Sequence, residues 1–499
     1  MIIEKLRNTV EKFNQEISKE YYLQGAGLKD DIKFDEIYKK YPEIKDKENI
    51  NILKQAISKN EDNPEENRKL TLFLENIYNE VISSELSSLS EELLLKEASG
   101  KIEINGKDVY FRSSMIEMIN QEDRNIRESI RKKRNEFIND NLNPIHVKIH
   151  NQEKELIEKL GYKNLIDMFQ SLSGINLYTL NDSMQNFLKM SEDMYIDILS
   201  YYAKNKLNLQ ISELKKHDLQ YILRGKEFDK FFPQQDLLPE MSKFVSKMGI
   251  DISAGNNIKF DLDIREKKSP RAFCSPVKIP YEVYLVIYPR GGEDDYTTFL
   301  HELGHALHFA NINNDLGLEY KWYGDNSVTE GYAMSLDHLT MNPLWMEKIL
   351  GVNYKESKDY YIHRNFFELM MLRRYAGKLD YEIKLAEADS IKGMDKVYSE
   401  IHSDASKVHY SGTNYLEDVD GYFYVARYLR AWMFQANLHK CLRNKFNEDW
   451  FVNPNAGKFL TDLWGLGQKF SAEELLEMNN CPSLSVNPVF DDINNALSN

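Results

Sequence analysis

Apolar residues recur three and four positions apart through most of the chain. Ile52, Leu53, Ala56 and Ile57 form one such face, and Leu70, Phe73, Leu74, Ile77 and Val81 form another among Glu, Asn and Lys. That period predicts amphipathic helices with one side turned to a core. Charge-rich helices of this kind fill roughly the first 230 residues. Their alternating signs favour pairing along a solvated face over a binding patch. Near the other end, Ser471 followed by Glu474 and Leu475-Leu476 predicts a capping box, two side chains satisfying orphan N–H groups at a helix start.

The pattern changes over residues 232–280. Phe232-Pro233 and Leu238-Pro239 interrupt the helices. Ile258, Phe260, Leu262 and Ile264 then alternate with Lys259, Asp261 and Asp263, which predicts a half-buried strand. A second run, Tyr281 to Tyr288, is apolar on both faces and predicts a buried strand. Gly291-Gly292 end it, and a helix is predicted from about Asp294. A small sheet therefore interrupts a mainly α protein.

Composition narrows the partners. The chain of 499 residues carries 64 Lys+Arg against 79 Asp+Glu, a net charge of −15, which repels a phosphate backbone and argues against nucleic acid. With 42% hydrophobic and 29% charged residues it is globular, with length for two or three domains or one large helical body. Cys274, Cys441 and Cys481 are too few and too scattered for a disulfide framework or a thiolate zinc site. The opening MIIEKLRNTVEKFNQ has charges where a signal peptide needs an apolar stretch. No apolar run approaches the ~20 residues that cross a bilayer, so no membrane partner is expected. These features predict a soluble cytoplasmic protein and say nothing of its oligomeric state.

The chemistry concentrates in His301-Glu302-Leu303-Gly304-His305. On a helix, positions i and i+4 share a face, so both imidazoles reach one ion, with Glu302 beside them to accept a proton. The competing reading is a helix with two surface histidines. Zinc needs a third protein ligand and an open fourth position. A third histidine six residues past the second does not supply it, because position 311 is Asn and position 308 is His where that pattern needs Gly. Glu330, 29 residues past His301, stands in Ser327-Val328-Thr329-Glu330-Gly331-Tyr332 and fits instead. Its competing reading is a capping-box glutamate three residues after an N-cap Ser327. Asp337 falls two turns farther along the same face, where it reads as a surface acid or as the acceptor for a ligand imidazole. His308 reads as packing or as a hydrogen-bond partner behind the ligands.

With these residues in place, the segment resembles the M3 family of zinc oligopeptidases, which includes thimet oligopeptidase and oligoendopeptidase F. The resemblance rests on His301 through His308, on Glu330, and on Ala272-Phe273-Cys274 followed by a strand, and it is strong over about residues 265–340. It implies a mainly α, gluzincin-type body, with two helical halves around a deep channel and a small sheet beside the active-site helix. It also implies an N-terminal helical wall over residues 1–190 and a catalytic region over 191–499. One Zn2+ per chain would be held by His301, His305 and Glu330. The strand at 281–288 would offer its edge to an extended peptide. Oxyanion donors would come from His409-Tyr410-Ser411-Gly412 and Gly421-Tyr422-Phe423-Tyr424, with His409 and Tyr422 as the catalytic candidates and Tyr415 and Tyr424 as alternatives. The segment Arg427-Tyr428-Leu429-Arg430-Ala431-Trp432 departs from the family's usual text, which marks a divergent branch. Phe423, Trp432 and Phe434 read as core, and Cys274 reads as packing, since nothing supplies it with a base.

The expected activity is hydrolysis of short, unstructured peptides. Zinc acidifies a water and polarises the scissile carbonyl. Glu302 takes the proton and passes it to the leaving amine. A zinc carboxypeptidase and a non-catalytic peptide-binding scaffold are the alternatives, and cobalt or manganese suit the same ligands.

Overall fold

The computed structural model describes residues 2–29, 33–252 and 256–498. Helices take up 72% of the chain and the sheets are small, as the 3.6-residue period predicts. Two compact units form. The first comprises Met1–Val81, Glu227–Tyr361 and Arg430–Val489, and the second comprises Ile82–Lys226, Ile362–Leu429 and Phe490–Asn499.

In the first unit, one large core gathers residues far apart in sequence. Phe232, Phe244, Leu285, Phe299, Leu300, Leu303, Val328, Tyr332, Phe434 and Trp464 all belong to it and are buried. Leu300, Leu303 and Leu307 anchor the helix Glu293–Asn311 there, while His301 and His305 on the same helix keep part of their surface open. This histidine helix starts one residue before the expected position. Its N-cap is Gly292 at φ 99°, in the left-handed region that glycine enters without a side-chain clash.

The sheet of this unit has three strands in the order Ile258–Asp261, Glu282–Val286, Phe273–Lys278. The central strand pairs parallel with the first, Ile258 opposite Val283, and antiparallel with the last, Cys274 opposite Leu285. Two expectations are corrected. The run at 281–288 is the central strand, paired on both sides, so it has no edge to offer a peptide; the outer edges belong to the flanking strands. The sequence hides the third strand because Pro276, which cannot donate to a ladder, sits inside it. The first strand ends at Asp261 instead of continuing to Ile264, which is 63% exposed. There the Asp261 carboxylate binds Arg265 and Lys268, and Lys268 Nζ also donates to the backbone carbonyls of Asp261 (2.7 Å) and Asp263 (2.9 Å), turning the chain away.

The helix Ile2–Gly25 packs on this sheet. Tyr22 stacks on Tyr284 with ring centres 3.7 Å apart, and Ser275 Oγ donates to the Ser18 carbonyl at 2.9 Å. A Cβ on Gly25 would lie 2.6 Å from the Phe273 ring, so glycine permits the approach. The capping box at Ser471 and Glu474 forms as the sequence predicts. Cys441 and Cys481, 40 residues apart, are joined as a disulfide, a pairing that the scattered cysteines had not suggested. Cys274 is the free cysteine.

The second unit is helical, and one of its hydrophobic clusters gathers Ile102, Phe111, Met118, Ile130, Ile138 and Leu142. Its hairpin, Lys101–Ile104 with Lys107–Tyr110, turns on Asn105-Gly106, both at positive φ. Asp418 is half-buried there against Arg374 and accepts from Tyr398 Oη at 2.7 Å. No described helix is long and apolar enough to cross a membrane.

Candidate metal centre

Two helices of the first unit build the site. The histidine helix carries His301, Glu302 and His305, and the helix Asn326–Asp337 carries Glu330. They approach closely enough that a Cβ on Gly304 would lie 2.5 Å from Ala333 Cα and 2.9 Å from the Tyr332 carbonyl oxygen. The second glycine, Gly331, does the same on the other side, against Phe434 at 2.4 Å.

The glutamate helix begins at an N-cap Asp325, whose carboxylate accepts from Ser327 N at 3.0 Å. Ser327 is therefore inside the helix, and Glu330 is not the glutamate of a capping box. Arg430 holds this end in place. Its guanidinium donates to Asp325 Oδ2 (2.6 Å), to Ser327 Oγ (3.3 Å) and to both carboxylate oxygens of Glu473. Free of capping duty, Glu330 turns inward and is 5% exposed.

One donor atom from each of His301, His305 and Glu330 lies within 4.8 Å of the others, the one such His/Cys/Asp/Glu group among the described residues. Glu330 Oε2 stands 3.4 Å from His301 Nε2 and 3.6 Å from His305 Nε2. The opposite ring nitrogens are both occupied. His301 Nδ1 is 2.8 Å from Asp337 Oδ2, and His305 Nδ1 is 3.1 Å from Thr329 Oγ1. Hydrogen bonds at Nδ1 orient each ring and turn both Nε2 atoms toward the carboxylate. This two-imidazole, one-carboxylate set fits a divalent zinc-type ion with one position left open.

Electrostatics agree with that set. Burial pushes the Glu330 carboxyl up, but His305 and His301 hold it well below the ordinary carboxylate range. Burial acts the same way on Asp337, and His338 and His301 reverse it, leaving it at about 2. For His301, burial opposes the charged form while Asp337 and Glu330 favour it and prevail. Asp337 also bonds His338 through its other oxygen. An Asp337→Asn protein is expected to bind zinc about 10- to 100-fold more weakly, because the acceptor behind His301 loses its charge. Competition against a chromophoric chelator measures this, and unchanged affinity would exclude Asp337 from the centre.

Glu302 is half-buried beside the trio and is not part of it. Its charge acts on Tyr21 and on Cys274. Tyr21, from the first helix, is half-exposed and meets the Phe273 ring edge-on at 5.2 Å. No local signal in the sequence links position 21 to position 302. Burial, with the nearby Glu302 charge, pushes the Cys274 thiol well up, so it is no nucleophile. His308 is fully buried, and burial drops it to about 3, which keeps it neutral.

His409 and Tyr422 lie in the second unit. The His409 side chain is exposed, while its backbone pairs with the chain at Leu214 (2.9 Å) and Lys216 (3.1 Å). Tyr422 meets Phe169 edge-on at 5.1 Å. Tyr422 and Phe423 both adopt left-handed φ, 53° and 48°, a strain of about 1–3 kcal/mol each that sites tend to retain. Tyr415 is half-buried and its carbonyl accepts from Tyr381 Oη at 2.7 Å. Phe423, Trp432 and Phe434 are core, as read.

No protein-family model and no curated protein sequence matches the chain. Solved structures do. A protein assigned as oligoendopeptidase F, solved at 3.1 Å, superposes with a TM-score of 0.70 at 15% identity, covering 99% of this chain and 91% of the other. A second assigned oligoendopeptidase F, from Bacillus anthracis str. Ames, gives 0.63 at 15% identity over 87% and 78%. PZ peptidase A with an inhibitor gives 0.60 at 16% identity over 86% and 79%. This chain has the helical fold of those peptidases.

Proposed function

We propose that the protein is a zinc-dependent endopeptidase acting on short, unstructured peptides. The observation that carries this reading is the convergence of His301 Nε2, His305 Nε2 and the buried Glu330 carboxylate, with Glu302 one residue along the same helix. The fold shared with oligoendopeptidase F and PZ peptidase supports a peptidase in particular.

His301, His305 and Glu330 would hold the ion. Bound there, it would supply Lewis acidity, polarising a peptide carbonyl and lowering the pKa of a water. The chain's own residues do the rest. Asp337 and Thr329 hold the two imidazoles with their Nε2 atoms inward. Glu302, next to the ligands but not needed as one, accepts the proton of the attacking water at its carboxylate and returns it to the departing amine. Tyr422, held in its strained conformation, and the exposed His409 are the proposed oxyanion donors; loss of such a donor typically costs on the order of 100- to 1000-fold in rate.

Elemental analysis paired with cleavage of a quenched fluorescent peptide tests the proposal. The expected result is one zinc per chain, internal cleavage by fragment mass, loss of cleavage with chelator and its return with zinc. Release of only C-terminal residues would make it a carboxypeptidase. Stoichiometric zinc with no cleavage across a diverse peptide pool would make it a binding scaffold. No metal after reconstitution would break the ligand assignment.

A further inference from the structure

Thr329 occupies an unusual place. It immediately precedes Glu330 and is 6% exposed, and its hydroxyl is shared between two histidines of the other helix. Oγ1 lies 3.1 Å from His305 Nδ1 and 3.2 Å from His308 Nδ1. His308, one turn beyond His305, cannot swing away. Its ring is fully buried, lies nearly parallel to Phe309 at 5.3 Å and meets Tyr332 edge-on at 5.0 Å.

Proton counting gives these contacts a direction. An imidazole that presents Nε2 to a metal carries its proton on Nδ1. His305 must therefore donate to Thr329 Oγ1. The hydroxyl has a single proton, and the remaining neighbour at bonding distance is His308 Nδ1, which must accept it. His308 then carries its own proton on Nε2. Nε2 is buried with no hydrogen-bond partner among the described residues, so the chain of bonds ends there.

We infer that Thr329 and His308 form a one-directional hydrogen-bond relay that locks His305 in its metal-binding tautomer. Both are positioning residues of the centre, and the inference rests on the metal-site reading above. The two ligand histidines are thus backed differently. His301 has a carboxylate behind it, whereas His305 has a neutral hydroxyl backed by a second imidazole. The neutral arm orients its ligand without adding negative charge to a site that already has Glu330 and Asp337.

Zinc affinity, measured by chelator competition, tests the relay without reference to peptide cleavage. Thr329→Val, which keeps the shape and removes the hydroxyl, is expected to weaken zinc binding about 10- to 100-fold. Thr329→Ser restores the hydroxyl and should restore the affinity. His308→Phe should weaken binding on its own but add nothing to Thr329→Val, because His308 acts through that hydroxyl. Wild-type affinity in Thr329→Val, or strictly additive losses in the double variant, would overturn the relay while leaving the metal site standing. A wild-type chain that holds no zinc would remove site and relay together. Should the variants not fold, histidine-selective 15N NMR of the zinc-loaded wild type decides the matter. A proton on Nδ1 of His305 and on Nε2 of His308 is expected, and one on Nδ1 of His308 overturns it.

Discussion

Glu302→Gln is expected to lower turnover by about 100- to 10,000-fold while zinc content and peptide affinity stay at wild-type values. Glutamine has the same shape as glutamate but no basic oxygen. The three converging donor atoms belong to His301, His305 and Glu330, so the substitution leaves the ligand set intact. Glu302 is half-buried, so part of its side chain stays open to solvent. Zinc analysis, peptide affinity by fluorescence anisotropy and single-turnover cleavage together separate loss of chemistry from loss of binding. Hydrolysis at the wild-type rate by the zinc-loaded variant would take the base role away from Glu302. Loss of zinc would instead place its carboxylate among the ligands.

Gly304→Val should weaken zinc binding and destabilise the first unit together. A side chain there meets backbone, Ala333 Cα at 2.5 Å and the Tyr332 carbonyl oxygen at 2.9 Å, and backbone in a packed helix pair has no rotamer to give. Forced apart, the two helices would carry Glu330 away from the imidazoles it now approaches at 3.4 and 3.6 Å. Overpacking of this kind costs about 1–3 kcal/mol. Gly304→Ala provides the sharper comparison. Helix propensity alone favours alanine over glycine by about 1 kcal/mol, so any net loss measures the contact itself. Thermal unfolding with and without zinc reads both effects, since a ligand stabilises the fold by an amount that grows with the logarithm of its concentration relative to its Kd. A zinc-induced rise in Tm as large as that of the wild type would show that the helices tolerate the side chain.

The pattern of the sequence already contained the helical class, the sheet ahead of the histidine helix, and the pair of imidazoles on one helical face. Each follows from local period: 3.6 residues for the helices, two for the strands, four for His301 and His305. Glu330 was legible by spacing alone, and the buried Phe423, Trp432 and Phe434 by their apolar character. The hairpin at Asn105-Gly106 interrupts the stretch that the helical period assigned to helices, although both turn residues enter positive φ readily.

Other features depend on what long-range packing brings together. Strand order is one, because pairing partners are chosen by the path of the chain, and Pro276 disguised the strand that covers the supposed free edge. The capping of the glutamate helix is another. Arg430, 105 residues away, draws Asp325 into the N-cap, and Glu330 is left to turn inward. Tyr21 meets Phe273 only because the first helix lies on the sheet, and Thr329 reaches two histidines only because Gly304 lets the helices close together. A residue's period is set by its neighbours in the chain, whereas its hydrogen-bond partners are set by which surfaces the core presses together. That is why His301, His305 and Glu330 could be picked out along the sequence, and why the groups that hydrogen-bond the two imidazoles could be seen only in three dimensions.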